Sequence, residues 1–257
     1  MTGVVAGVRR MAGRPDPCPL CGADDAAALW PAPPTAVVRC RRCGLRYIAP
    51  RLAAHVESAD YYVERYLPEI AIHGAGADGP IRDIERYVAP GRLLDVGCAL
   101  GDHLVAARGR GWRVAGVELA PYAAAYARAT HGLDVHCGTV HDLPAADGTF
   151  DAVLMAEVVE HLSDPLPTLR RVAALLRPGG VVWLSTPNAA GLAAAVLGPA
   201  WDRIEPAGHL CYFDTATLAH LARSAGLTVT AANAVDLDIG ALAARTRAAS
   251  RPVPPAR

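Results

Sequence analysis

Short apolar runs alternate with amphipathic stretches from about residue 91 onward. The runs RLLDVGC, WRVAGVEL, LDVHCGTV, FDAVLMAE and VVWLSTPN predict five strands, and LTVTAANAV predicts a sixth. The stretches DHLVAARGRG, APYAAAYARATHG, DPLPTLRRVAALLRPGG and TATLAHLARSAG have apolar positions at helical spacing. Strands that alternate with helices predict an α/β fold, a Rossmann-like, doubly wound, mostly parallel sheet. Ligands of such sheets bind at the carboxyl ends of the strands.

The pattern before residue 91 is different and divides the chain into four parts. Residues 15–50 are rich in Pro, Cys and Arg and show little periodicity, whereas residues 51–90 predict a helical connector or cap with several tyrosines. Residues 91–235 form the predicted ligand-binding domain. Residues 236–257, which end in RTRAASRPVPPAR, predict a disordered basic tail.

Composition narrows the choice of partners. The 257 residues carry a formal net charge of zero, which gives no general attraction to nucleic acid or to an anionic membrane. No apolar run reaches the length of about 18 residues that a membrane helix needs, and the first residues lack the apolar core of a signal peptide. We therefore expect a cytoplasmic protein that acts on a small molecule, without a membrane partner and with nucleic acid unfavoured.

Four of the seven cysteines lie in two short pairs, Cys18 with Cys21 and Cys40 with Cys43. This spacing is typical of a zinc ribbon in which four thiolates hold one ion. A site with four protein ligands is closed, so the predicted zinc is structural. The remaining cysteines stand singly in apolar surroundings, which is typical of small core residues in a reducing compartment.

The first predicted strand runs into a glycine-containing loop, LLDVGCALGD. A dinucleotide loop would need glycine where Ala99 and Asp102 stand, and a phosphate loop would need Gly-Lys-Ser/Thr. Glu118 ends the second predicted strand, where a carboxylate accepts from ribose hydroxyls. A ligand that has a ribose, no pyrophosphate at this point and a positive charge fits these residues, and S-adenosylmethionine is such a ligand.

The order of motifs from residue 91 to about 232 resembles the class I S-adenosylmethionine-dependent methyltransferases. The segments that carry the resemblance are LLDVGCALGDHL, RGWRVAGVEL, CGTVHDLPAADGTFDAVLMAEVVEHLSDP, LLRPGGVVWLSTPN and HLCYFDTATLAHLARSAGL. They are most similar to ubiquinone-biosynthesis O-methyltransferases and to sugar and natural-product methyltransferases. The resemblance implies that Asp95, Gly97 and Gly101 line the methionine end of the cofactor and that Glu118 holds the ribose. It also places Thr139 and Val140 beside the adenine and Ala156 and Glu157 near the reacting methyl.

The chain departs from the family pattern at three points. Ala99 replaces the middle glycine of the loop, and Thr139 stands where an acid often contacts the adenine. The family's sheet ends in an antiparallel seventh strand, and no convincing run for it follows Val235. We therefore expect an incomplete edge on the C-terminal side of the sheet.

Methyl transfer to a hydroxyl benefits from a general base near the methyl donor. The predicted catalytic residues are His209, Tyr212 and Glu157, with His209 as the base or as the residue that orients the acceptor. Glu157, Glu160 and His161 are spaced to share one side of a helix, as in relatives where this motif is associated with magnesium. A structural role for this motif is favoured over a magnesium site.

The apolar segment 191–206, which contains Trp201, is interpreted as a lid over the acceptor. Together these residues predict a small-molecule methyltransferase whose acceptor is a hydroxyl of a sugar, quinone-like or natural-product substrate. Two alternatives stay open: an RNA methyltransferase that grips RNA with the arginines of RCRRCGLRYIAPR, and a cofactor-binding protein without catalytic activity.

Overall fold

The computed structural model describes residues 16–51, 64, 77–206 and 208–234. Five parallel strands form its central sheet in the order β6-β5-β4-β7-β8. They are β4 (Arg92–Val96), β5 (Arg113–Glu118), β6 (Val135–Cys137), β7 (Phe150–Ala156) and β8 (Leu176–Ser185). The chain first runs outward from β4 to β6 and then returns to β7 on the other side. A crevice therefore opens between β4 and β7 at the carboxyl ends of the strands, where ligands of such sheets bind.

Six helices accompany the described strands. They are α1 (Gly79–Ile84), α2 (Asp102–Gly109), α3 (Pro121–His131), α4 (Pro165–Leu175), α5 (Leu192–Leu197) and α6 (Thr215–Ser224). Single 3₁₀ turns cover Val159–His161 and Gly198–Ala200. Asp214 begins α6 with a reciprocal capping box, in which its side chain accepts from the Thr217 amide.

Two hydrophobic clusters cover the opposite faces of the sheet. Leu93 and Leu94 are neighbours in β4, and because successive side chains of a strand point to opposite faces, each belongs to a different cluster. Leu93 packs with residues of α1, α2 and α3, and Leu94 packs with residues of α4 and α6. The prediction of a doubly wound α/β sheet is confirmed.

A second, antiparallel sheet contains the cysteine pairs. Its strands are β1 (Ala26–Ala32), β2 (Thr35–Cys40), β3 (Arg46–Ala49) and β9 (Cys211–Tyr212), in the order β1-β2-β3-β9. Three of these strands come from the predicted ribbon, but β9 follows His209 near the other end of the described chain. Buried Leu45 and Tyr47 of the ribbon lie in the same hydrophobic cluster as Leu94. The ribbon therefore packs on the α4 and α6 face of the central sheet.

The sixth predicted strand, residues 227–235, is not formed over its described part. Residues 227–234 show no strand structure, and Asn233 and its neighbours are exposed. An apolar alternation without a neighbouring strand to pair with cannot form a ladder. The helix predicted to stop at Pro178-Gly179-Gly180 runs from Pro165 to Leu175, and the chain enters β8 at Leu176. Most of the connector 51–90 and the tail 236–257 lie outside the described residues.

Candidate active site

The loop between β4 and α2 has the backbone geometry that its glycines predict. Gly97 and Gly101 adopt φ values of +75° and +94°, which side-chain-bearing residues rarely adopt. A Cβ added to Gly97 would lie 2.6 Å from Cγ2 of Val158, and one added to Gly101 would lie 2.5 Å from Cδ1 of Leu133. Ala99 also has a positive φ, 47°, so the alanine that replaces the family's middle glycine is held in a strained conformation.

Glu118 at the end of β5 faces this loop. Its Oε2 accepts from the Ala99 amide and its Oε1 from the Ala120 amide, each at 2.8 Å. These two bonds fix the carboxylate, which is only 7% exposed. Each oxygen keeps a lone pair that a ribose hydroxyl can use. The ribose contact of Glu118 stays a prediction.

Two acids near the loop have buried oxygens without partners among the described residues. They are Oδ2 of Asp95 and Oδ2 of Asp102. Burial raises the pKa of Asp95 to about 7, and the negative charges of Glu118 and Asp102 act in the same direction against the opposing effect of His103. Unpaired buried acids favour a cationic ligand. S-adenosylmethionine carries an ammonium and a sulfonium group, and both positive charges suit a pocket lined by these acids. Asp95, Gly97, Gly101 and Glu118 therefore suit the cofactor that the sequence predicts.

The predicted adenine side contains an acid that the sequence analysis missed. Thr139 is exposed, and both its amide and its hydroxyl donate to Oδ2 of Asp142, at 2.9 and 2.6 Å. These two donors lower the pKa of Asp142 below its usual value. Val140 is buried beside them. Asp142 therefore places a carboxylate next to Thr139, the position where the family often has an acid beside the adenine. In the sequence, the only sign of this contact is that Asp142 follows Thr139 by three residues.

Glu157 lies apart from the other two residues of its motif. Ala156 ends β7, and Glu157 then takes a positive φ of 55°, with Oε1 accepting from the Ser185 hydroxyl at 2.8 Å. Only Val159–His161 forms a helical turn. The expectation that Glu157, Glu160 and His161 share one helical side is therefore wrong, because the chain reverses at Glu157 before the turn begins.

The structure instead brings Glu160 and His161 together with His209. One ring nitrogen of each histidine and one carboxylate oxygen of Glu160 all lie within 4.8 Å of one another. The two imidazole rings meet edge to face with centroids 4.9 Å apart. Glu160 is 1% exposed, and neither carboxylate oxygen has a partner among the described residues. Burial raises the pKa of Glu160 to about 8, and the charge of Glu157 adds to this effect.

Backbone carbonyls determine which nitrogens of these histidines can act as bases. Nδ1 of His161 bonds the Gly208 carbonyl at 3.0 Å, and Nδ1 of His209 bonds the Arg203 carbonyl at 2.9 Å. Because a carbonyl only accepts, each Nδ1 must carry the proton, which leaves Nε2 with a free lone pair in the neutral ring. Burial, together with His161, lowers the pKa of His209. Buried Tyr212 lies with its ring centroid 6.4 Å from that of His209.

The four cysteines of the ribbon form a single cluster. Sγ of Cys18 lies 3.5 Å from that of Cys43, and Sγ of Cys21 lies 3.6 Å from that of Cys40. All four sulfurs are within 4.8 Å of one another. Tetrahedral zinc with bonds of about 2.3 Å places its sulfurs about 3.8 Å apart, so this arrangement fits the ion. Gly22 and Gly44, with φ of +69° and +85°, make the tight turn that follows each pair.

Comparison with known proteins identifies the fold and its chemistry. A model of the methyltransferase domain family matches residues 75–232, which is more than half of the chain. The chain belongs to the methyltransferase domain family. It is a class I S-adenosylmethionine-dependent methyltransferase with a Rossmann-like fold.

Curated relatives of this methyltransferase include two ubiquinone biosynthesis O-methyltransferases. The one from Xanthomonas campestris pv. campestris (strain B100) is 39% identical over 161 residues, which cover 54% of this chain and 67% of the relative. The one from Xanthomonas oryzae pv. oryzae (strain PXO99A) is 39% identical over 145 residues, which cover 52% and 60%. The shared part is therefore about two thirds or less of each relative's length.

Solved structures of methyltransferases share the fold. One is a methyltransferase in complex with the Haloferax volcanii Trm112 methyltransferase activator, at 23% identity and a TM-score of 0.59, which covers 72% of this chain and 83% of that chain. Another is a SAM-dependent methyltransferase from Thermotoga maritima, at 22% identity and a TM-score of 0.54, which covers 65% and 78%. Within the part of the methyltransferase that the structure describes, no helix is long and apolar enough to span a membrane.

Proposed function

We propose that this methyltransferase transfers a methyl group to a hydroxyl oxygen of a small molecule and that His209 is its general base. The observation that carries the proposal is the contact of His209 Nδ1 with the Arg203 carbonyl, since a carbonyl only accepts and the proton of a neutral ring must then lie on Nδ1, which leaves Nε2 to accept a proton. The relatives named as O-methyltransferases support oxygen as the acceptor atom.

Residues of the chain bind and orient both reactants. When bound, S-adenosylmethionine supplies a methyl group on a positively charged sulfur. Glu118 holds the ribose, Asp95, Gly97 and Gly101 line the methionine end, and Thr139 with Val140 borders the adenine. Ala156, which ends β7, and Glu157, which follows it, lie close to the reacting methyl. Alignment of acceptor and methyl accounts for much of the rate in such a displacement.

On the acceptor side, His209 takes the hydroxyl proton at Nε2 as the oxygen attacks, and the Tyr212 hydroxyl orients the acceptor. Tyr212 suits this role because its buried hydroxyl has no partner among the described residues. The segment 191–206 is the lid, with Trp201 as its buried anchor. Leu192 and Val196 are exposed on α5, which favours an acceptor with an apolar part.

The four-cysteine cluster is proposed to hold structural zinc, and three of the five arginines of RCRRCGLRYIAPR contact other residues of the protein, which does not favour the RNA reading. Arg41 pairs with Asp25, Arg46 donates to the Ala189 carbonyl, and Arg51 donates to the Pro17 carbonyl. These arginines stabilise the ribbon and its contact with the lid. No observation favours the alternative of a protein that binds the cofactor without activity.

The proposal is tested with ¹³C-methyl-labelled S-adenosylmethionine. The purified protein is incubated with a panel of acceptors, including dihydroxybenzenes with apolar chains and sugars, and the label is located by NMR. Label on oxygen supports the proposal, and label on nitrogen or carbon alone contradicts it.

The base role of His209 is tested with the acceptor found in this way. We expect His209→Ala and His209→Asn to lower turnover roughly a hundredfold or more, since neither side chain can take the proton. The affinity for S-adenosylmethionine, measured by calorimetry, should change little. His220→Asn is the matched control, because His220 is exposed on α6. Near-normal turnover of His209→Asn at neutral pH would show that His209 only tethers the lid.

A further inference from the structure

The last strand of the ribbon's antiparallel sheet, β9, contains Tyr212 and directly follows His209 and Leu210, so this sheet reaches the proposed acceptor residues. Strands β3 and β9 pair Arg46 with Tyr212 and Tyr47 with Cys211. One residue before β9, the Leu210 carbonyl accepts from the Ile48 amide at 3.0 Å, while the Leu210 amide donates to the Glu160 carbonyl at 2.7 Å. The residue next to His209 is therefore held between the ribbon and the turn that carries Glu160.

Side chains of the ribbon also support the lid. Val37 and Ile48 of the ribbon form one buried cluster with Trp201 and Ala194 of the lid and with Tyr212. Strand β3 therefore bonds the backbone next to His209, and β2 and β3 together pack against the side chains of the lid.

Arg46 adds a polar link between the ribbon and the start of the lid. Its guanidinium donates to the Ala189 carbonyl and lies 5.8 Å above the Trp30 ring. The Ala189 amide in turn donates to the Phe213 carbonyl at 2.7 Å. One half-buried arginine on β3 therefore connects the ribbon with the chain on both sides of the lid.

The cysteine cluster fixes the hairpin from which these contacts come. Cys40 ends β2, Cys43 lies in the turn before β3, and both face Cys18 and Cys21 across the cluster. A small ribbon of this kind depends on its metal for a fixed shape. The cofactor side does not depend on the ribbon in this way, because Glu118 is held by the amides of Ala99 and Ala120 in the loops that follow β4 and β5.

We propose that the metal-loaded ribbon is a positioning element of the acceptor site: through β3 and Arg46 it sets the placement of His209, Tyr212 and the lid. The inference rests on the proposed role of His209 and assigns Arg46 as a positioning residue. Loss of the metal should disturb the acceptor side while the cofactor side keeps its shape.

The first test compares Cys21→Ser with Cys137→Ser, which changes an exposed cysteine of β6. Both variants are prepared with ¹³C-labelled histidine, and the His209 ring signal is identified by its loss in His209→Asn. In Cys21→Ser we expect zinc to be lost and the His209 signal to shift or broaden, while the S-adenosylmethionine affinity stays within about threefold of the wild type. Cys137→Ser should match the wild type in all three measurements.

An unchanged His209 signal in zinc-free protein overturns the proposal. A parallel loss of cofactor affinity also overturns it, because the ribbon would then support the whole fold. The ring signal does not depend on turnover, so this test is separate from that of the base role. If His209→Asn kept its turnover, the base role would be wrong. A His209 ring signal that changes with zinc would still support the proposal that the ribbon positions this residue.

A second test leaves all four cysteines in place. Arg46→Met removes the link to Ala189, and we expect the acceptor KM to rise at least about tenfold while the KM for S-adenosylmethionine stays the same. Arg46→Lys should restore part of the loss, since it keeps a charged donor. Arg42→Met is the control, because Arg42 is exposed in the turn of the ribbon. An unchanged acceptor KM in Arg46→Met contradicts the assignment.

Discussion

At the scale of single residues, local signals predicted cofactor contacts, whereas the cluster of Glu160, His161 and His209 was not predicted. Gly97 and Glu118 could be placed because a strand end and the glycine loop after it are both visible within a few residues of sequence. The meeting of Glu160 with His209 could not be foreseen, since it depends on how the chain after the lid returns to the sheet. The reversal at Glu157 was hidden as well, because a positive φ at a glutamate has no signal in the sequence.

Replacement of Glu118 tests the cofactor side at a single position. Glu118→Ala should weaken S-adenosylmethionine binding by on the order of 1–3 kcal/mol, or roughly 5- to 150-fold in Kd, because the ribose loses its acceptor and two amides lose theirs. Glu118→Gln keeps one acceptor oxygen, so its affinity for S-adenosylmethionine should lie between those of the wild type and Glu118→Ala. Calorimetry measures the affinities, with the exposed Asp147→Ala as control. Equal binding by Glu118→Ala would show that the ribose lies elsewhere.

At the scale of elements, the strands of the central sheet and the helices that pack on it were predicted, because apolar residues recur with a different spacing in strands and in helices. The edges were predicted less well. The stretch after Gly226 alternates as a strand would, yet pairing depends on a neighbour that the pattern does not reveal. For the same reason β9, only two residues long, could not be found from the sequence, although it joins the ribbon to the active site.

The loop between β4 and α2 can be tested by a pair of glycine replacements. Gly97→Ala should lower the free energy of unfolding by about 1–3 kcal/mol, because the new Cβ meets Val158 at a positive φ. Gly109→Ala, at the end of α2, has no atom within 4 Å of its new Cβ and should leave stability unchanged or raised by about 0.5–1 kcal/mol. Urea unfolding measures both.

Addition of Val158→Ala to Gly97→Ala separates the two causes. The shorter side chain removes the clash, so Gly97→Ala should cost less stability in the Val158→Ala background than in the wild type, and the cost that remains there is that of the backbone conformation. If Gly97→Ala and Gly109→Ala unfold at the same urea concentration, the loop does not have the described geometry.

At the scale of the whole molecule, buried acids make the stability of the ligand-free protein depend on pH. The pKa of Asp95 is raised to about 7 and that of Glu160 to about 8. A carboxyl whose pKa is higher in the folded state contributes its full stabilisation below the unfolded-state pKa and loses it as the pH rises from that value through the folded-state pKa. Because the ordinary values are 3.8 and 4.5, we expect the melting temperature to fall from about pH 4 to about pH 8 and to level off above that, with zinc in excess throughout.

The variants Asp95→Asn and Glu160→Gln identify the source of this dependence. An amide has no proton to lose, so each variant should reduce the fall in melting temperature, Asp95→Asn up to about pH 7 and Glu160→Gln up to about pH 8. The charged neighbours of Asp95, namely Glu118, Asp102 and His103, stay in place. A double variant that melts with the same pH dependence as the wild type would assign the effect to other groups.

The order β1-β2-β3-β9 also has a consequence for how the chain folds. On the ribosome, the ribbon hairpin emerges early, but the strand that completes its sheet is synthesised only after the whole central sheet. The free edge of β3 therefore stays open to pairing with other chains for most of synthesis, and such edges favour aggregation. Because contacts between distant parts of a sequence form slowly, closure of this edge by Cys211 and Tyr212 should be a late step in folding.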